Sequence, residues 1–152
     1  MTVMVTNSVV IDARATVVWD RLADLGTHPE WMFDARAIHF MSPQTSGPGT
    51  EMTVATAIGP LRTNDLIKVI GWDEGRSMTV RHSGVITGEG TMRVDSVAGG
   101  TRVTWAEELV FPWYLGGPAT ALIALPVMRR VWAHSLERLR HLIESDLAAE
   151  AP

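Results

Sequence analysis

Residues 119–148 have the sequence ATALIALPVMRRVWAHSLERLRHLIESDLA. Apolar side chains recur in this segment at intervals of 3 and 4 residues, which places them on one face of an α-helix. The other side carries arginine, histidine and glutamate. The segment is therefore predicted to be a long C-terminal helix that packs against the rest of the fold through one stripe, Leu125, Met128, Trp132, Ser135, Leu139 and Leu142.

The chain before this helix is predicted to be mostly strand. A valine-rich strand comes first, and two short helices follow it, the first capped by Asp12 and the second opened by a capping box at residues 27–30. Strand signals then continue over residues 36–111, where Gly88 and Gly90 indicate a bulge or a close approach of the backbone. One strand, two helices, six strands and a long helix predict an α+β fold.

An uncharged run at residues 109–128 is long enough to cross a membrane. Prolines and glycines interrupt it, however, and the chain has no neighbouring spans that would satisfy the broken backbone. The run is therefore predicted to be a strand end, a loop and the start of the last helix. No stable membrane insertion is expected.

Hairpin arithmetic predicts which residues face each other across neighbouring strands. A symmetric turn at residues 73–74 places Asp65 directly opposite His82. A two-residue turn at residues 99–100 places Glu107 on the inner face of the last strand. Three ionisable groups therefore fall on a face that is otherwise apolar.

Asp65, His82 and Glu107 have two possible explanations. A buried carboxylate needs a partner or water, so Asp65 and His82 are consistent with a structural pair at the open end of a hairpin. Alternatively, all three line the polar end of an apolar cavity, where they orient a ligand or move protons. In the second case they are the candidate catalytic residues.

Several large side chains lie near predicted loop and helix ends. Trp31, Trp113, Met128 and Trp132 are the main ones. Each is consistent with ordinary core packing, but together they are also suited to an adaptable apolar pocket, because methionine fits irregular shapes. We therefore expect these four residues to contact a ligand, together with Asp65, His82 and Glu107.

Composition excludes several classes of site. The chain has 152 residues, a formal net charge of -4 and no cysteine, which argues against nucleic-acid binding, disulfides and zinc–thiolate sites. It has no glycine-rich phosphate loop, and its 5 histidines lack zinc spacing. We therefore expect no metal and no other cofactor. The N-terminus does not look like a secretory signal, so the expected compartment is the cytoplasm. The oligomeric state is left unknown.

Two parts of the chain resemble a known family. The N-terminal part is residues 7–13, Val18-Trp19, residues 22–24 and Trp31, and the C-terminal part is residues 99–108. Both are similar to the polyketide cyclase/dehydrase and lipid-transport family of the START-like, or SRPBCC, helix-grip superfamily. The resemblance implies a seven-stranded antiparallel sheet wrapped around the C-terminal helix with a cavity between them. Residues 1–148 would form this single domain, and residues 149–152 a short tail.

The resemblance implies that the cavity binds a small hydrophobic molecule of lipid, polyketide or isoprenoid type. One alternative is a polyketide aromatase/cyclase or dehydratase that acts on a bound poly-ketone. Another is a regulatory or interaction protein without catalysis. The aromatase/cyclase branch uses an aromatic hydroxyl and a middle-strand arginine, whereas this chain has Ala35 at the first position, and Arg62 and Lys68 are predicted to point outward. Whether the protein is an enzyme is therefore left open.

Overall fold

A computed structural model describes residues 2–152 of the chain. Seven strands and two α-helices make up the fold, with two short 3-10 helices at Leu25–Glu30 and Trp113–Leu115. In chain order the main elements are β1 (Thr2–Ile11), α1 (Ala15–Ala23), β2 (Ala35–Phe40), β3 (Glu51–Ile58), β4 (Leu61–Asp73), β5 (Ser77–Ser83), β6 (Thr87–Val97), β7 (Gly100–Val110) and α2 (Gly117–Glu150). The predicted order of elements is confirmed.

All seven strands form one antiparallel sheet in the order β1-β7-β6-β5-β4-β3-β2. Strands β2 to β7 follow one another as hairpins, and β1 pairs with β7 to complete the sheet. The inner face of the sheet and α2 together enclose the hydrophobic core. This is the helix-grip architecture.

Helix α2 buries most of the predicted stripe. Met128, Trp132, Ser135 and Leu139 are buried, and Leu125 and Leu142 are half-buried. Three further core residues of α2, Ala121, Leu136 and Ile143, are not in the predicted stripe. They widen the buried face because the stripe repeats about every 3.5 residues, whereas the helix turns once about every 3.6 residues. The apolar stripe therefore drifts slowly around a straight helix of this length.

The uncharged run is a strand end, a 3-10 turn and the start of α2, as predicted. Its prolines interrupt the helix less than the sequence suggests. Pro118 lies in the first turn of α2, where its missing N–H has no helical partner to lose. Pro126 lies inside α2 but is exposed, as is Leu122 one turn earlier, so water can satisfy the unpaired carbonyl group. Within residues 2–152, no helix is long and apolar enough to cross a membrane.

The short helices differ from the prediction in their ends. Asp12 does not cap α1. Its backbone N–H donates to Glu144 Oε1 at 3.0 Å, which ties this loop to α2. The predicted capping box is also wrong, because the Thr27 hydroxyl donates to the Asp24 carbonyl and Glu30 pairs with Arg21. The 3-10 helix ends at Glu30, and Trp31 is its C-terminal capping residue.

Both predicted registers are displaced by two residues. Strand β4 has an irregularity between Val69 and Gly71, and beyond it Ile67, rather than Asp65, lies opposite His82. Between β6 and β7 the turn is at residues 98–99, because Val97 pairs with Gly100. A shift of two preserves the alternation of inward and outward side chains. Asp65, His82 and Glu107 therefore do face inward, although Asp65 and His82 are not direct cross-strand neighbours.

The glycines of β6 show the predicted close approach. Gly88 has a φ of 145°, and a Cβ atom there would overlap the carbonyl oxygen of Glu108 on β7. No bulge interrupts the pairing of β6 with either neighbour. Gly88 is thus required by the spacing of two backbones.

Candidate functional site

A cavity of about 180 Å³ lies between the inner face of the sheet and α2. A single water needs only about 10–15 Å³, so the cavity has room for a small organic molecule. Most of its wall is apolar, formed by side chains from the first 3-10 helix, β2 to β7 and α2. Its polar side chains are His28, Asp34, Thr56, Thr63, Asp65, His82 and Glu107, and two indole rings also contribute, those of Trp105 and Trp132.

Glu107 connects two strands of the cavity wall. Its side chain is buried, and its Oε1 accepts a hydrogen bond from Trp105 Nε1 at 2.7 Å. Its Oε2 lies 3.1 Å from His82 Nε2 on β5, two strands away. Gly90 of β6 lies between these strands, and a Cβ atom there would lie 2.6 Å from Glu107 Oε2. The absence of a side chain at Gly90 is therefore what lets Glu107 reach His82.

The environment of His82 favours its charged form. Burial lowers the pKa of His82, but the hydrogen bond and the negative charge of Glu107 outweigh it, with help from Asp65 and Asp34. The net result is a His82 pKa above its usual value. His82 and Glu107 therefore form an acid–base pair that faces the cavity.

Asp34 forms a second polar group on the wall, at the start of β2. Its Oδ2 accepts a hydrogen bond from Trp132 Nε1 at 3.1 Å. Its Oδ1 is buried and accepts no side-chain hydrogen bond within residues 2–152. Burial raises the pKa of Asp34. Hydrogen bonds from Trp132 and from the backbone N–H groups of Asp34 and Ala35 oppose this rise, and the charge of Glu107 adds to it. Asp34 is thus a largely buried carboxyl group that Trp132 and the adjacent backbone hold in place.

Asp65 lies farther along the same wall and is half-buried. Its Oδ2 accepts a hydrogen bond from the Thr63 hydroxyl at 2.9 Å. A Cβ atom on Gly84 would overlap Asp65 Oδ1, so Asp65 packs closely against β5's end. The structure pairs His82 with Glu107 rather than with Asp65, which acts on His82 through its charge alone.

His28 is a buried neutral imidazole beside the cavity. Burial lowers the pKa of His28 to about 4. Its Nε2 lies 2.8 Å from the Leu22 carbonyl oxygen, so a neutral ring donates this proton to the backbone. His28 therefore brings no positive charge to the cavity at neutral pH.

The structure brings together five of the seven predicted ligand-binding residues. Asp65, His82, Glu107, Met128 and Trp132 all line the cavity. Trp31 and Trp113 do not line it. Within residues 2–152, no group of three or more metal-ligating side chains is arranged to hold a metal ion.

Trp31 and Trp113 lie elsewhere for different reasons. Trp31 follows the first 3-10 helix and is fully buried in the core. Its ring centroid lies 4.9 Å from that of His28 and 6.1 Å from that of Trp105. Trp113 is 86% exposed on the second 3-10 helix, and Leu115 of the same turn reaches the cavity instead.

His28 and Asp34 were not predicted from the sequence. Both lie in the irregular segment between α1 and β2, where no periodicity indicates which side chains point inward. Arg62 and Lys68, predicted to point outward, are exposed. Ala35 lines the cavity with no hydroxyl group.

The pairing of His82 with Glu107 predicts a specific titration. In Glu107→Gln the pKa of His82 should fall, because the charge that raises it is removed while an acceptor remains. Asp65→Asn should lower the His82 pKa less. NMR titration of the imidazole measures both, and an equal effect of the two variants would contradict the pairing.

The same shift has a consequence for stability. The pKa of His82 is raised in the folded state, so protonated His82 stabilises the fold. This stabilisation is fully present below the unfolded-state pKa of about 6.5. It is lost as pH rises through the folded-state pKa. The wild type should therefore lose stability relative to Glu107→Gln over that interval, as urea unfolding at several pH values would show.

The chain was compared with known sequences and structures. Residues 2–144 match the family described as polyketide cyclase/dehydrase and lipid transport. No curated protein sequence matches significantly. The Zhui aromatase/cyclase from Streptomyces sp. R1128 superposes with a TM-score of 0.80 at 14% identity, over 100% of both chains.

Two further structures share the fold. A START superfamily protein from Mycobacterium smegmatis gives a TM-score of 0.77 at 12% identity, over 93% of this chain and 97% of that chain. A point mutant of norcoclaurine synthase from Thalictrum flavum, bound to a transition-state analogue, gives 0.71 at 15% identity, over 96% of both chains. At these identities the likeness concerns the fold alone. The match over residues 2–144 is what assigns the family. The chain belongs to the polyketide cyclase/dehydrase and lipid transport family.

Proposed function

We propose that the protein binds one small, largely apolar molecule in the cavity between the sheet and α2. The observation that carries this proposal is the cavity itself, which is lined mainly by apolar side chains and has its polar groups on defined strands. Such a combination gives affinity through burial and orientation through a few hydrogen bonds. The family description, which includes lipid transport, supports a ligand of lipid, polyketide or isoprenoid type.

A second candidate function is catalysis on a bound poly-ketone. The His82–Glu107 pair supports it, because a charged imidazole can give a proton to a carbonyl or hydroxyl oxygen and then recover it. The cavity would hold the poly-ketone in a folded conformation and so supply proximity. The Zhui aromatase/cyclase, which has the same fold, supports the same idea. The cavity argues against the other alternative, a regulatory or interaction protein, in which the space between the sheet and α2 would be filled by side chains.

Native mass spectrometry distinguishes binding from catalysis. A carrier is expected to show a co-purified molecule of one defined mass per chain. The purified protein is then incubated with a synthetic poly-ketone, and an enzyme is expected to release a cyclised or dehydrated product at a rate that falls in His82→Gln. Absence of both a co-purified molecule and any binding of an added apolar compound would contradict the proposal.

Trp113 tests the route into the cavity. It is exposed beside Leu115, which lines the cavity, and exposed apolar groups often mark a binding surface. Trp113→Ala should change the association rate of N-phenyl-1-naphthylamine, an uncharged fluorescent probe, while stability stays within about 0.5 kcal/mol of wild type. Stopped-flow fluorescence measures the rate. Trp132→Ala, by contrast, should reduce probe affinity and stability together, because Trp132 is buried in the wall.

An unchanged association rate in Trp113→Ala would place the opening of the cavity away from the second 3-10 helix. Leu122→Ala serves as the matched control. Leu122 is also apolar and exposed near the start of α2, but it does not line the cavity.

A further inference from the structure

The mouth of the cavity is bordered by exposed apolar side chains. Leu61, Val85 and Leu115 all line the cavity, and all three are also exposed to solvent. A side chain that both lines a cavity and contacts solvent lies at its mouth. The cavity therefore opens between the β3–β4 turn, the β5–β6 turn and the second 3-10 helix.

The strand pairing brings these three segments to one end of the sheet. Leu66 near the start of β4 pairs with Ser83 at the end of β5. Thr87 at the start of β6 pairs with Val110 at the end of β7, and the second 3-10 helix follows β7. We refer to this end of the sheet, with the second 3-10 helix and the first three turns of α2, as the mouth end.

Further apolar side chains at the mouth end are exposed without lining the cavity. Trp113 and Tyr114 of the second 3-10 helix are two of them, and their ring centroids lie 6.1 Å apart. Leu122, Ile123 and Val127 are exposed on the first three turns of α2. An accumulation of exposed apolar side chains marks a surface that binds a partner.

The charges near the mouth end are basic. Residues 109–128 carry no charge, and Arg129 and Arg130 follow them on α2. Both arginines are exposed, and neither forms an ion pair within residues 2–152. Arg62, beside the mouth on β4, is also exposed and without an ion pair in the same part of the chain. Residues 109–136 include no aspartate or glutamate.

A lipid bilayer with anionic headgroups complements this surface. Tryptophan and tyrosine rings favour the headgroup level, and exposed aliphatic side chains of a helix reach the boundary of the acyl chains. Arginines are attracted to the negative surface, and salt screens the more distant acidic residues of the protein. A second copy of the chain, by contrast, would offer no carboxylate from residues 109–136 to pair with Arg129 and Arg130.

We propose that the mouth end docks reversibly on the surface of an anionic lipid bilayer, with Trp113, Tyr114 and Ile123 at the headgroup level. The mouth of the cavity then faces the bilayer, so an apolar ligand passes between lipid and cavity without crossing water. Docking itself goes beyond the proposed binding function, and only the passage of the ligand rests on that function.

Flotation with lipid vesicles tests the docking. The wild type should float with vesicles of phosphatidylcholine and phosphatidylglycerol, less so at high salt, and weakly with phosphatidylcholine alone. Ile123→Asp should weaken binding to the mixed vesicles about ten-fold or more, because it removes apolar contact and adds a negative charge. Arg130→Gln should weaken it about five-fold. Met41→Asp is the matched control, since Met41 is exposed and apolar in the β2–β3 connection at the other end of the sheet, and its binding should be unchanged.

The cavity is tested separately with N-phenyl-1-naphthylamine in buffer without vesicles. Ile123 does not line the cavity, so Ile123→Asp should bind this probe as the wild type does. A protein that floats with vesicles but does not bind the probe would leave the docking in place and contradict the proposed binding function.

Three results would overturn the docking. One is a wild type that binds the probe but floats with neither kind of vesicle, and another is an Ile123→Asp variant that floats as well as the wild type. The third is a dimer that Ile123→Asp dissociates in analytical ultracentrifugation while the wild type fails to float, which would assign the surface to a second copy of the chain. Equal flotation with the two kinds of vesicle would contradict the role of the arginines.

Discussion

Leu139→Asp is expected to lower the free energy of unfolding by about 4 kcal/mol or more. Leu139 is fully buried on the face of α2 that packs against the sheet. Removing such a side chain costs about 2–5 kcal/mol, and an unpaired buried carboxylate adds to that loss. Thermal unfolding followed by circular dichroism should show a fall of roughly 10 °C or more in the midpoint.

Leu122→Asp provides the matched control on the same helix. Leu122 is 70% exposed, so the same chemical change should alter stability by no more than about 0.5 kcal/mol. If Leu139→Asp fails to fold, Leu139→Ala replaces it, with an expected loss of about 2–5 kcal/mol. Equal melting of Leu122→Asp and Leu139→Asp would mean that α2 packs through a different face.

Gly90→Ala is expected to lower the stability of the wild type but not that of the Glu107→Ala variant. In the wild type the added methyl group would overlap the Glu107 carboxylate and displace it from both Trp105 and His82. The buried indole N–H left without an acceptor costs about 1–3 kcal/mol. In Glu107→Ala the overlap is gone, so Gly90→Ala should be neutral or should stabilise by up to about 1 kcal/mol, because alanine restricts the unfolded chain. Urea unfolding of the four variants of this cycle measures the coupling.

Gly88→Ala is the control that distinguishes the clash with Glu107 from a general inability of β6 to accept a side chain at its glycines. A Cβ atom on Gly88 would overlap the backbone of Glu108, which truncation of Glu107 does not move. Gly88→Ala should therefore destabilise in both backgrounds. A Gly90→Ala variant that destabilises equally with and without the Glu107 side chain would contradict the proposed role of Gly90.

The fold was predictable because its signals are repetitive. The stripe on α2 extends over many turns, and six strands follow one another with turn residues between them. The details of the turns were not predictable from single residues. The turn at residues 74–76 displaces the pairing of β4 with β5 by three residues, and the irregularity between Val69 and Gly71 reverses one of them, so the net displacement is two. Nothing in the local sequence distinguishes this hairpin from a regular one. The inward and outward assignments survived only because the shift is even.

The site was predictable only in part, for a related reason. That His82 and Glu107 point inward follows from alternation along each strand, but their partnership depends on the register of three strands and on the gap at Gly90. Asp34 and His28 lie in an irregular segment, where side-chain direction depends on tertiary packing. Trp31 was expected at the cavity but lies behind its wall, because its depth depends on where the 3-10 helix ends.

Binding of an apolar probe inside the cavity is the central claim, and a blocked cavity tests it most directly. Thr56 lines the cavity on β3, and its neighbour Ala55 does not. N-phenyl-1-naphthylamine fluorescence should titrate to one molecule per chain in the wild type and in Ala55→Trp. In Thr56→Trp the indole fills the space, so probe binding should be lost while the protein stays folded by circular dichroism. Binding of the probe to folded Thr56→Trp with wild-type affinity would contradict the account.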